Sequence, residues 1–220
     1  MGPPAQKKDE ILTYADYLKW DDGERWELID GFAYNMTPAP SRMHQKISVE
    51  LTFQFMSYLR NTRCSMYAAP FDVRLYENDD AADAVTTVVQ PDLSVICDPS
   101  KLDDRGCKGC PDLVVEILSP ATARKDTKEK FERYERAGVR EYWIADPSAK
   151  TVTVFKRLDG GLFGRPDVYG HEERIKVGIF EDLEIDLQPV FGVAADQSQP
   201  PPAAGEETAA GEADVRREAP

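Results

Sequence analysis

The chain has 220 residues, 41% hydrophobic and 10% aromatic, the composition of a globular protein with a sizeable core. With 40 acidic against 27 basic residues its net charge is −13, which opposes non-specific nucleic-acid binding without forbidding a local basic groove. No apolar run approaches the length of a membrane span, and Met1 to Glu10 lack the apolar core of a secretory signal, so a cytoplasmic protein is expected.

The elements follow in order. Residues 1–11 are polar and read as a disordered N-terminus. Thr13 caps a short helix, Tyr14 to Trp20, with Asp16 in the capping-box position. Trp26 to Tyr34 reads as a hairpin turning on Asp30-Gly31. Pro38 to Pro40 breaks the chain, and Ser41 caps a helix from about Arg42 to Arg60. Ile47, Leu51, Phe55 and Leu59 stand four apart and form its buried stripe. His44 lies in its first turn, where it could face the active site, but a solvent-facing or capping role is the preferred reading. Extended pieces follow near Ser65 to Ala69 and Phe71 to Tyr76, then an acidic surface loop, Glu77 to Ala84. Val88 to Cys97 is the next strand, with Pro91-Asp92 inside it, and Asp98 to Gly109 is a loop.

Pro111 to Pro120 is a short apolar run bounded by prolines, a buried central strand with one carboxylate, Glu116, in its middle. Val114 and Leu118 share its face and are apolar, so Glu116 needs a cation or a proton. A helix from about Arg124 to Ala137 follows, ended by Gly138. Glu141 to Ala145 is a strand and Thr151 to Lys156 its hairpin partner. Gly160 to Gly170 is a connection, and Asp182 to Asp186 a short edge strand. Residues 194–220 are rich in Pro, Ala and Glu and read as a disordered tail. From Asp196 on it holds six acids and two arginines, so it contributes −4 and the body −9.

Four cysteines without a secretory signal are expected as free thiols. Cys107-x-x-Cys110 would need two more ligands for zinc, and only Cys64 and Cys97 remain, both at strands. The chemistry lies elsewhere. Asp92 and Glu116 come from two apolar strands. Asp126, Lys130 and Tyr134 follow at four-residue spacing on one face of the next helix, which must pack back on the sheet. Two carboxylates and a lysine suit hydrolysis with Mg²⁺ or Mn²⁺, the lysine orienting or deprotonating water. The bland readings are a helix-dipole role for Asp126, a core role for Tyr134 and a structural pairing of Glu27 with an arginine. Asp112 is read as serving the start of its strand.

These residues carry a resemblance. Tyr14 to Leu18, Trp26 to Gly31, Ser41 with His44, Pro91-Asp92, Pro111 to Pro120, then Asp126, Lys130, Tyr134 and Gly138 to Pro147 resemble the Uma-two family of proposed endonucleases. That family lies in the PD-(D/E)XK restriction-endonuclease-like superfamily, and the resemblance runs from about Thr13 to Val190. It implies an α/β (α+β) fold: an αβββαβ core with a mixed central sheet flanked by helices, an N-terminal hairpin and a C-terminal β extension, in one domain over 12–193. It implies a metal-dependent endonuclease acting on DNA, with Asp92, Glu116 and the Ile117 carbonyl as metal ligands, Glu27 as an extra catalytic acid and Lys130 as the catalytic lysine. By analogy the enzyme is a homodimer. Two positions depart from the pattern. Leu118 stands where the superfamily lysine normally is, so Lys130 must supply it from the helix; Lys128 points about 160° away from it. Phe32 stands where relatives often have an acid. The alternative is an inactive nuclease-fold protein with a binding or assembly role.

Overall fold

In the computed structural model, which describes residues 11–36, 39–76, 84–120 and 122–192, the apolar run after Pro111 is strand β9, Leu113–Ile117, with all five residues buried. The readings for residues 1–10, Thr37-Pro38, the acidic loop 77–83 and the tail from 193 lie outside the described residues.

The chain begins with α1, Tyr14–Tyr17, started by Thr13 and Asp16 in a reciprocal capping box. Strands β1, Trp26–Ile29, and β2, Phe32–Asn35, form the expected hairpin. Its turn needs two left-handed residues, Asp30 at φ 53° and Gly31 at φ 77°, the pairing that Asp-Gly supplies at least cost. Helix α2, Arg42–Leu59, buries the four predicted residues Ile47, Leu51, Phe55 and Leu59. Short strands follow: β3, Ser65–Ala68; β4, Val73–Arg74; β5, Val88–Val89; and β6, Leu93–Ile96.

The expected single strand from Val88 to Cys97 is therefore two. Proline cannot donate to a ladder, and at Pro91 the chain leaves one sheet for another. The loop expected from Asp98 to Gly109 also contains structure. A 3₁₀ turn at Pro99–Lys101 leads to the hairpin of β7, Leu102–Asp103, and β8, Gly106–Lys108.

After β9, a π-helical turn at Lys125–Lys130 runs into α3, Phe131–Ala137, which ends at Gly138 with φ 95°. The remaining elements are β10, Glu141–Asp146; β11, Thr151–Lys156; β12, Asp167–Gly170; β13, Arg174–Lys176; β14, Glu184–Asp186; and α4, Leu187–Phe191, which sequence patterning did not suggest.

The central sheet has the order β12-β11-β10-β9-β6-β3. Strands β9 and β10 are parallel, and every other pair in the sheet is antiparallel. The second sheet has the order β2-β1-β5-β4-β8-β7. Because strand side chains alternate, β9 serves two cores. Leu113, Val115 and Ile117 pack with α2, α4 and Trp143. Val114 packs on the other side with Tyr134, Tyr142 and residues of the second sheet. Glu116 shares that second face, so it points toward α3 and the hairpin sheet.

The free-thiol expectation fails for one pair. Cys64 and Cys97 form a disulfide. The antiparallel register Ser65↔Ile96 brings these two residues face to face, a pairing that compartment reasoning does not reveal. Cys107 and Cys110 remain free. Among the described residues no helix is long and apolar enough to cross a membrane.

Candidate active site

The register Leu93↔Val115 sets Asp92, just outside β6, level with Glu116 on β9. The Ile117 amide donates to Asp92 Oδ2 at 2.7 Å, which fixes the carboxylate against the neighbouring strand. Glu27 arrives from β1, and the Gln90 amide donates to its Oε1 at 3.0 Å. The π-helical turn adds Asp126 and Lys130, both buried.

Lys130 ties these groups together. Its Nζ lies 2.8 Å from Glu27 Oε1, 2.9 Å from Glu116 Oε1 and 3.7 Å from Asp126 Oδ1. All four side chains are at most 4% exposed. The helix thus delivers an ammonium group to the central acid, whereas Leu118, just past the end of β9, stays beside β10 with its amide bonded to the Ala145 carbonyl. Lys128 is exposed. Tyr134 is fully buried, as a core residue, but its hydroxyl also donates to Glu116 Oε1 at 2.6 Å. Glu27 is paired with Lys130 and, at 3.4 Å, with Lys125. Asp112 accepts from the Cys97 amide at 2.8 Å and so joins the ends of β6 and β9.

His44 is a correction. Its side chain faces the site rather than solvent: Nε2 stands 3.2 Å from Asp92 Oδ1, and the imidazole is 12% exposed. The Ser41 hydroxyl accepts from the His44 backbone amide, so the cap belongs to Ser41. The signal in the sequence was that Ser41 with His44 belongs to the stretches that carry the family resemblance.

The electrostatics follow from burial. Burial pushes Glu116 up to about 8, against the pull of Lys130 and helped by Asp126, Asp92 and Glu27. Burial also raises Asp126. Lys130 goes the other way from what burial alone would do: Glu116, Glu27 and Asp126 hold it well above the ordinary lysine value. Burial lowers His44, but Asp92, Asp126 and the Ile117 backbone outweigh it and raise the imidazole.

These groups line a cleft of about 500 Å³, joined by Arg25, Gln45, Ser48 and Ser119 among others. A separate depression of about 550 Å³ near Arg140, Lys156 and Lys176 contains none of these acids. Of the five basic residues of the 124–133 segment, Lys130 and Lys125 face acids and Arg133 pairs with Asp30. Arg124 and Lys128 are exposed.

Among the described residues no group of three or more His, Cys, Asp and Glu side chains is arranged to hold a metal ion by itself. A hard cation does not require one, because it keeps several waters and takes one or two carboxylates with substrate phosphates. The donor set fits that chemistry. The cleft presents four carboxylates, those of Glu27, Asp92, Glu116 and Asp126.

The family is shown by comparison. A model of the Uma2 family, described as "Putative restriction endonuclease", matches residues 14–188. The chain belongs to this family. An uncharacterized protein of Synechocystis, slr1290, is 28% identical over 153 residues, covering 68% of this chain and 76% of that protein. A crystal structure titled as a putative nuclease of the DUF820 group, from Anabaena variabilis, superposes with a TM-score of 0.65 at 19% identity. It covers 82% of this chain and 98% of the other. At that identity the likeness speaks for the fold alone: this Uma2 chain shares the mixed α+β fold of that structure.

Proposed function

We propose that this protein is a metal-dependent endonuclease that hydrolyses phosphodiester bonds in DNA. Asp92 and Glu116 hold Mg²⁺ or Mn²⁺ together with the Ile117 backbone carbonyl. A bound cation there supplies Lewis acidity toward phosphate and lowers the pKa of water.

The chain's own residues do the rest. Asp92 is held in place by the Ile117 amide. Lys130 keeps its proton among three carboxylates, so it offers fixed positive charge to the developing phosphorane and does not act as a base. Glu27 and Tyr134 set the position of Lys130 and Glu116. Arg25 and Lys125 line the cleft, where a phosphate backbone would approach. A homodimer would let two such sites cut two strands, by analogy with nucleases of this architecture.

The observation that carries the reading is the contact of Lys130 with Glu116 at 2.9 Å, which supplies from the helix the lysine missing at Leu118. One observation favours the alternative of an inactive binding or assembly protein: Lys125, Lys130 and Arg133 are already paired with acids.

The test joins metal binding to cleavage. Purified protein, Asp92→Asn and Glu116→Gln are titrated with Mn²⁺ by calorimetry and then incubated with plasmid and linear DNA. Binding and cleavage by wild type, with both lost in the two variants, is expected. Cleavage that persists in EDTA or in both variants refutes the assignment. Metal binding with no cleavage of duplex or single-stranded DNA moves the alternative ahead.

A further inference from the structure

We propose that His44 is a nitrogen ligand of the same cation site, and that it makes the site prefer a first-row transition ion such as Mn²⁺ over Mg²⁺. This rests on the metal-site reading above, and because no three such side chains among the described residues are already arranged around one point, it requires the Asp92, Glu116 and His44 side chains to adjust as the ion binds.

Position comes first. His44 Nε2 stands 3.2 Å from Asp92 Oδ1, the outward oxygen of that carboxylate, since Oδ2 is taken by the Ile117 amide. The Ile117 backbone also flanks the imidazole. The two groups assigned to the cation, Asp92 and the Ile117 carbonyl, are therefore the two that His44 already faces. Two neighbouring ligands on one octahedral ion, with bonds of about 2.1 Å, stand about 3 Å apart, close to the separation present here. A cation arriving at Asp92 Oδ1 either displaces the imidazole or binds it.

Displacement is the harder course. His44 is in the first turn of an 18-residue helix whose buried stripe is anchored in the core. Its backbone amide is fixed by Ser41 at 3.2 Å. Only side-chain rotation is available, and the ring is already mostly buried. Its Nδ1 is buried without a hydrogen-bond partner among the described residues, an arrangement kept at a cost while Nε2 is aimed at Asp92.

Charge agrees. Glu27, Asp92, Glu116 and Asp126 line the cleft, and the two ammonium groups that touch these acids are Lys125 and Lys130. A divalent ion at Asp92 brings further positive charge to these acids, and on binding the imidazole its lone pair replaces the ring proton that now faces Asp92. Imidazole is a poor donor for Mg²⁺, which selects oxygen, and a good one for first-row transition ions.

The experiment reads coordination directly. The full chain contains two histidines, His44 and His171. Protein labelled with ¹⁵N-histidine is loaded with Mn²⁺ and studied by pulsed electron paramagnetic resonance, with His171→Gln as the control and His44→Ala as the test. A ¹⁵N coupling that survives His171→Gln and vanishes in His44→Ala is expected. Calorimetry should show Mn²⁺ affinity falling about tenfold or more in His44→Ala, with a much smaller change for Mg²⁺. Should His44→Ala fail to fold by circular dichroism, His44→Gln replaces it, because its amide keeps a polar group toward Asp92. Bound Mn²⁺ without histidine coupling, at unchanged affinity in the variant, overturns this inference and leaves the nuclease reading intact. Absence of Mn²⁺ binding that distinguishes wild type from Asp92→Asn overturns both.

Discussion

Replacing Lys130 with methionine removes the ammonium group and keeps most of the stem. It leaves Glu27, Glu116 and Asp126 facing one another, each almost fully buried. Removing one partner of a buried ion pair costs about 3–5 kcal/mol. Two features trim the loss here. Lys125 remains 3.4 Å from Glu27, and Glu116, already pushed up to about 8, takes a proton. The expected loss near neutral pH is therefore about 3 kcal/mol, the lower end of that range.

The sign with pH also follows. The folded-state value of Glu116 lies above its ordinary one. Its proton-linked stability is therefore present below about 4.5 and lost as pH rises through about 8. Lys130 opposes that loss in wild type, so the variant should weaken more steeply between neutral pH and about pH 9. Urea unfolding of EDTA-treated protein, followed by fluorescence of the buried Trp143, measures both effects. A loss under about 1 kcal/mol, or one that shrinks at the higher pH, refutes the buried network.

Two further outcomes are expected. Burial pushes the Cys107 thiol up to about 12, so its thiolate is about one part in ten thousand at pH 8. Iodoacetamide should spare Cys107 in native protein, label it together with Cys110 once unfolded, and leave Cys64 and Cys97 unlabelled until reductant is added; mass spectrometry of the peptides decides. Glu141 accepts from the Trp143 indole and the Gly178 and Ile179 amides, tying β10 to the turn after β13. Glu141→Gln turns one acceptor into a donor facing donors and should cost about 1–3 kcal/mol by denaturant unfolding, a cost that a well-packed neutral variant elsewhere would not show.

The fold was legible wherever periodicity and turn chemistry agreed. The four-apart stripe of α2, the Asp30-Gly31 turn, the Gly138 stop and the apolar run around Glu116 each had one local explanation, and each stands in the structure. The strand through Pro91 was misread because apolar residues flank Gln90-Pro91-Asp92 on both sides, and composition does not say when a chain changes sheets. His44 and the Cys64–Cys97 pair were hidden for a related reason. Both depend on which strand end meets which helix end, a long-range fact with no local signature. Lys130 was found because it shares a helical face with Asp126 and Tyr134, although the turn that carries it is wider than the α-helix assumed.

That wide turn bears on how relatives of this chain can differ. A π-helical turn is what an α-helix becomes when it takes in one residue without moving its ends. Deleting one residue between 127 and 129 would let the turn tighten to an ordinary α-helix with both ends in place. Lys130 would keep its place beside Glu116, and Lys125 and Asp126 would keep theirs at the start of the turn. A change of one residue in length at the exposed Thr127 or Lys128 is thus one that the helix can absorb without disturbing the acids or either ammonium group.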